Sequence, residues 1–314
     1  MKKRFLVAAM AATMGAASVA QADALLFPFY RANTDQRVFS FLSVANLDAV
    51  ARNTHYIWNH STDPNGNECL HDDAFGTMTA FDLVQQTVTD PNLFHGIDIP
   101  GFSQSSDGVT TDASAIQYSL DEPSLGFMIF ANNNGEVAVA NESTLIGQMI
   151  TVDVLNGLIT SQRGMNNPAS TDEGNFASIF TSHPSYDLTW YDEDLITSTN
   201  WFVLVTGLGM DNPSAWRGAG NLTNGFINVF DRDENPRSGN IDIPIVCNAL
   251  LSRAQLMSSA QLTWSAGGGY MWATFAPTAV TGATGILVTK TEFTPALGGT
   301  TTASLENPWP NLPF

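Results

Sequence analysis

The sequence predicts a mostly β protein, with antiparallel strands in a sandwich-like arrangement, long polar loops and one or two short helices. Runs of alternating Val, Ile, Phe and Trp are divided by Asn, Asp, Gly, Pro and Thr, a pattern typical of half-buried antiparallel strands. Helical periodicity is scarce. The best helix candidate is NALLSRAQLMSSAQL, residues 248–262, in which apolar residues recur at helical spacing.

Eight runs carry the strand signal most clearly. Each is bounded by turn-forming residues, and none shows the period of a helix. In chain order they are RVFSFLSVANL, THYIWNH, LGFMIFANN, EVAVAN, NWFVLVTGLG, TNGFINVFDRDEN, NIDIPIVC and GYMWATFAP.

The N-terminal segment has the features of a secretory signal peptide. A basic MKKR start, a short apolar run and the small-residue sequence Ala20-Gln21-Ala22 predict cleavage near Ala22. We therefore expect residues 1–22 to be removed and residues 23–314 to form a single secreted β-rich domain at the outer cell surface. No later run reaches 18 consecutive apolar residues, so no membrane span is predicted.

The charge of the processed chain excludes nucleic-acid binding. Loss of Lys2, Lys3 and Arg4 leaves nine of the 12 basic residues against 30 acidic ones, so the formal net charge is near −21. Such a surface repels nucleic acid and anionic lipid and attracts cations.

The two cysteines, Cys69 and Cys247, are expected to form a disulfide bond. Oxidation is the default outside the cell, and two cysteines in an exported chain favour one bridge over two free thiols.

A metal site is suggested by HYIWNHSTDPNGNECLHDD, residues 55–73, which holds three of the five histidines. Read as a β-hairpin, it places Trp58 and His60 on one face of a strand, about 7 Å apart, and His71 on the returning strand. The alternative is structural, with Trp58 in the core and His60 as a hydrogen-bonded histidine. Indole N–H is only a donor, so an unmodified Trp58 is not a metal ligand.

The segment HYIWNH, with CLHDDAFGTMTAFDLV and NVFDRDENPRSGNIDIPIVC, resembles the MopE/CorA type of copper(I)-binding surface proteins from methane-oxidising bacteria. In that family the tryptophan of a W-x-H motif is oxidised to kynurenine, whose aromatic amine binds copper(I) with two histidines. The resemblance implies that Trp58 is the kynurenine precursor and His60 is the first histidine ligand. It also implies an exported di-haem peroxidase as the partner that oxidises Trp58.

The second histidine is open on the sequence alone. His95 in DPNLFHGIDIPG matches the downstream histidine of the family best, while His71 and His183 are the other candidates. Copper(I) is soft and accepts imidazole nitrogen readily. The predicted metal residues are thus Trp58, His60 and His95, in a protein that scavenges copper and is not an enzyme. Asp72 and Asp73 are candidates to orient the ligand imidazoles, against a solvated turn.

A second cation site is weighed at DRDENPRSGNID. Asp231 and Asp233 occupy the first and third positions of a calcium-loop pattern, but Pro236 stands where an EF-hand needs glycine. An EF-hand is excluded, and a looser calcium site competes with an acidic hairpin turn.

Sequence signatures of the common enzyme classes are absent. The chain has no G-x-S-x-G, H-E-x-x-H or phosphate-binding glycine loop. The alternative to copper binding is therefore a structural or adhesive surface protein of the same fold without a metal.

Overall fold

A computed structural model describes fifteen stretches of the chain: residues 24–33, 37–61, 69–88, 124–132, 144–154, 158–166, 174–176, 185–190, 198–207, 209–210, 219–223, 229–239, 241–277, 283–294 and 300–305. The predicted signal peptide and the predicted strand EVAVAN lie outside these residues.

The first half of the described chain forms nine strands. They are β1 (Ala24–Ala32), β2 (Val38–Asn46), β3 (Arg52–Ser61), β4 (Leu70–Met78), β5 (Leu83–Val88), β6 (Ser124–Asn132), β7 (Leu145–Asp153), β8 (Leu158–Arg163) and β9 (Met165–Asn166).

The second half adds ten strands and two short helices. They are β10 (Ser185–Trp190), β11 (Ser198–Gly207), β12 (Ala219–Thr223), β13 (Val229–Asp231), β14 (Pro236–Arg237), β15 (Asp242–Val246), β16 (Asn248–Ser252), α1 (Arg253–Leu256), α2 (Ser259–Trp264), β17 (Gly269–Pro277), β18 (Ala283–Thr294) and β19 (Thr300–Leu305). All strand pairs named among these residues are antiparallel, so the predicted mostly β, antiparallel class is confirmed.

The central sheet has the strand order β4-β3-β6-β1-β9. Strands β1 and β3 are buried at nearly every position, unlike a strand with one wet face. Continuous burial means that both faces of this sheet are covered by other layers. One face contributes to a large core with residues of β10, β11, β17 and β18, and the other to a smaller core with residues of β2, β5 and β7.

The sheet β5-β2-β7-β8 closes the smaller core from outside. Buried and half-buried residues alternate strictly along β2, which is the pattern of a strand with one covered face. Leu42, Val44 and Met149 point inward, toward Phe27 and Phe130 of the central sheet. This layer is referred to below as the outer sheet.

Two further sheets cover the large core. One has the order β16-β11-β18-β19, and the other runs β14-β13-β17-β12-β15 with β10 also paired to β17. Cys247 is the single residue between β15 and β16, which belong to different sheets. Its φ of 67° lies at the point where the chain passes from one sheet to the other. The predicted disulfide is confirmed: Cys247 is bonded to Cys69, which directly precedes β4.

The helix predicted over residues 248–262 is only partly correct. The first five residues form β16, because they pair with β11 and bury Ala249 and Leu251 in the large core. Helices α1 and α2 follow, and Ser252 and Ser258 begin them with capping boxes. The tertiary pairing therefore overrides the apolar periodicity of the first turn.

Across the described residues, neither helix is long and apolar enough to span a bilayer.

Candidate metal centre

The predicted hairpin of residues 55–73 is formed by β3 and β4. Their antiparallel register pairs Trp58 with Asp72, Asn59 with His71, and His60 with Leu70. The turn between the strands, and the side chains of Asp72 and Asp73, lie outside the described residues. Because paired residues of an antiparallel ladder share a face, this register decides which side chains can meet.

Trp58 lies in the smaller core. Its side chain is 3% exposed and belongs to a cluster of apolar residues from four strands of the central sheet and from the outer sheet. The ring of Tyr30 meets it edge-on, with the ring centroids 5.2 Å apart and the planes at 86°. Such an aromatic pair contributes about 0.5–1.5 kcal/mol beyond its burial. Trp58 is therefore a packing residue in this state of the protein.

His60 is the next residue on the same face as Trp58. Its side chain is also 3% exposed, although it is polar and stands near the end of β3. On β6 its partner is Gly126, and on β4 its partner is Leu70, which is 39% exposed. His60 thus lies within the smaller core but one residue from its open edge.

Gly126 is a position that sequence reasoning missed. A β carbon there would overlap the carbonyl oxygen of Asn59 and crowd the α carbon of His60. Glycine is therefore required by the close approach of β3 and β6, and it leaves no side chain opposite the His60 imidazole. A glycine inside the apolar strand LGFMIF is the available signal, since interior strand glycines often mark such an approach.

His71 lies on the opposite face from Trp58 and His60. Its register partner is Asn59, and His71 Nδ1 is 3.1 Å from Asn59 Oδ1. The amide of Asn59 donates in turn to the carbonyl oxygen of Met210, at 3.1 Å. The structure therefore brings His60 together with Trp58, and it uses His71 in a polar contact on the side of the large core.

The other two candidate histidines, His95 and His183, lie outside the described residues. Within the stretches that the structure describes, no three His, Cys, Asp or Glu side chains gather as a metal-binding group. Among the described side chains, the neighbouring nitrogen groups on the Trp58 face are the His60 imidazole and the Trp58 indole. An indole cannot coordinate a cation, so this pair becomes a two-nitrogen site only if Trp58 is converted to an amine.

The candidate calcium residues form the turn of the β13–β14 hairpin. Asp231 accepts hydrogen bonds from the backbone N–H groups of Asp233 and Asn235, and from the Asn235 side chain. The pKa of Asp231 is lowered from its ordinary value, mainly by the hydrogen bond from the Asn235 side-chain amide. The hydrogen bonds from the backbone N–H groups lower it further. The Asp231 carboxylate is thus occupied as the acceptor of an Asx turn, the arrangement expected of an acidic hairpin turn.

No protein-family model matches this sequence. No curated protein is significantly similar to it. Among solved structures, a predicted secreted protein of Parabacteroides distasonis ATCC 8503 aligns at 9% identity, over 89% of this chain and 83% of that chain, with a TM-score of 0.19. At that TM-score the likeness does not indicate a shared fold.

Proposed function

We propose that the protein is a secreted, surface-associated copper(I)-binding protein that scavenges copper outside the cell. Trp58, after oxidation to kynurenine, and His60 are the proposed ligands on the central sheet, and His95 is the proposed third ligand. The observation that carries the proposal is the placement of Trp58 and His60 as adjacent residues on one face of β3.

The burial of the pair supports copper(I) over harder cations. Copper(I) prefers few, soft or borderline ligands, and two neutral nitrogens suit a monovalent ion in an apolar setting. Calcium would instead require six or more oxygen atoms, which the described side chains of the Trp58 face do not offer. The acidic surface, with a formal net charge of −18 for the whole chain, raises the local concentration of any cation.

The proposed modification is an oxidative opening of the indole ring. An exported haem peroxidase uses two molecules of hydrogen peroxide to break the C2–C3 bond and to leave one oxygen atom on each of these carbons, while the two peroxides are reduced to two molecules of water. Hydrolysis then releases the formyl carbon as formate and leaves an aromatic amine. Since Trp58 is buried in the folded chain, we expect oxidation to occur before the outer sheet packs over it, or through opening of the edge at Leu70.

The test compares two histidines on opposite faces of one hairpin. Protein purified from its native source should carry stoichiometric copper, and His60→Gln should weaken copper(I) binding at the tightest site at least 100-fold in a chelator competition. His71→Gln is the matched control and should leave that affinity unchanged. Copper affinity unaffected by His60→Gln would contradict the proposal.

A second candidate function is a structural surface protein without a metal. It is favoured by the packing of Trp58 against Tyr30 in an apolar cluster, which needs no modification to be explained. Native protein that contains no copper and an unmodified Trp58 would establish this alternative in place of the first.

A further inference from the structure

The outward face of the outer sheet is unusually apolar. Residues that alternate with the buried positions of β2 pair with outward residues of β5 and β7, and those of β7 pair in turn with outward residues of β8, so that one continuous surface forms. Its hydrophobic members are Phe39, Phe41, Ala45, Leu83, Ile146, Ile150, Val152 and Ile159. They are half-buried, except Ile159, which is 58% exposed.

Exposed hydrophobic residues concentrate around the same sheet. Six large hydrophobic residues are exposed in the described part of the chain, and five of them belong to the outer sheet or its connections. They are Leu47, Val50, Phe81, Val154 and Ile159. Leu47, Val50 and Phe81 flank one end of the sheet, and Val154 and Ile159 lie at the other end. Exposed hydrophobic residues gathered around one sheet favour an interaction site there.

The connections at one end of this sheet are held rigidly. The side-chain amide of Asn46 donates to the carbonyl oxygens of Val50 and Thr79, both at 2.9 Å. The backbone N–H of Phe81 donates to Asp48, and Phe81 itself has a φ of 56°, which is unfavourable for a bulky residue. The exposed side chains are therefore presented by a fixed frame.

Charge distribution favours a second copy of this chain as the occupant. A protein with a formal net charge of −18 repels itself over most of its surface. Among the outward positions of the four described strands, the only charged residue is Arg163. At this face, two copies of the acidic chain can therefore approach each other without repulsion between carboxylates on the four strands. A polar row that includes Ser43, Gln85 and Gln148 offers hydrogen bonds across the contact.

The area reaches the lower limit for a specific dimer. Strands β2 and β7 are nine residues long and β5 and β8 are six, so at about 3.4 Å per residue and about 4.8 Å between strands the face covers roughly 490 Å². Two such faces bury about 1,000 Å², the smallest area expected of a biological interface. We propose that the protein forms a symmetric homodimer by face-to-face packing of its outer sheets. This inference does not depend on copper binding.

Analytical ultracentrifugation of the processed full chain tests the dimer. We expect a concentration-dependent dimer, and Ile159→Asp should raise its dissociation constant at least tenfold. Because Ile159 is already exposed, the change should not unfold the chain, which circular dichroism can verify. Leu70→Asp, at an exposed leucine of the central sheet, is the matched control and should leave dimerisation unchanged.

Two outcomes would overturn the dimer proposal. One is a monomer at every concentration up to the millimolar range. The other is a monomer that binds phosphatidylcholine vesicles and loses that binding on Ile159→Asp, since the face would then be a lipid-contact surface.

Discussion

The two faces of strand β3 differ in how they are held. On the face toward the large core, Asn59 bridges His71 and the backbone of Met210, and Cys69 is bonded to Cys247 nearby. On the face toward the smaller core, Trp58 is held by aromatic and aliphatic packing, with His60 beside it. The difference shows that Asn59 and the disulfide join the hairpin to the large core, and that among the described histidines of the hairpin His60 is the one on the same face as Trp58.

The largest expected effect is at the packed face. Trp58→Ala removes a buried indole from the smaller core and should lower the free energy of unfolding by about 3–5 kcal/mol. The half-buried Trp264 provides the comparison, because Trp264→Ala should cost clearly less. Urea denaturation measures both. Equal losses of unfolding free energy in the two variants would contradict the role of Trp58 as a packing residue of the smaller core.

On the face toward the large core, the disulfide should contribute nearly as much to the free energy of unfolding. Replacing both Cys69 and Cys247 by Ser removes a cross-link between residues separated by 178 positions. In the chain-entropy model the bond contributes about 5 kcal/mol, and measured losses are about 2–5 kcal/mol. Denaturation of the double variant under non-reducing conditions checks this value. An unchanged midpoint would show that the polar face is held without the bond.

The hydrogen bonds of Asn59 come next in size. Asn59→Ala leaves the buried carbonyl of Met210 without its side-chain donor, so we expect a loss of about 1–3 kcal/mol. Asn53 is on the same strand but exposed, and Asn53→Ala should stay within about 0.5 kcal/mol of the wild type. A loss at Asn53 equal to that at Asn59 would contradict the bridging role.

The smallest effect is expected at the Asp231 turn and depends on pH. Because hydrogen bonds lower the pKa of folded Asp231, its contribution is present above the ordinary aspartate pKa and is lost as the pH falls through the lowered value. Wild type and Asp231→Ala should therefore differ by a constant amount above about pH 5 and converge in stronger acid. Thermal unfolding across this range measures the difference, and a gap that widens on acidification would contradict the sign.

Much of the fold follows from the sequence, because alternation and turn chemistry act locally. The strands at RVFSFLSVANL, NIDIPIVC and GYMWATFAP are present, and so is the hairpin that carries Trp58 and His60. The start of the predicted helix at residue 248 is wrong because pairing with β11 is a long-range contact that periodicity does not report.

The layer order could not be predicted for the same reason. Ile57 and Trp58 are both apolar, yet they enter different cores, since the central sheet is covered on both faces. Alternation shows that successive residues of a strand lie on opposite faces of the sheet. It does not show whether the second face is exposed to solvent or covered by another layer. Likewise, the opposite placement of His71 depends on the register with Asn59, which the length of the loop does not fix.

The most direct measurement of the copper proposal is the mass of one peptide from the natively purified protein. Cleavage before Asp48 and Asp63 releases residues 48–62, which contain Trp58 and no other tryptophan or cysteine. The proposal predicts a mass about 4 Da above that of the sequence, since kynurenine has gained an oxygen and lost a carbon. A peptide at its unmodified mass, from protein that carries no copper, would contradict it.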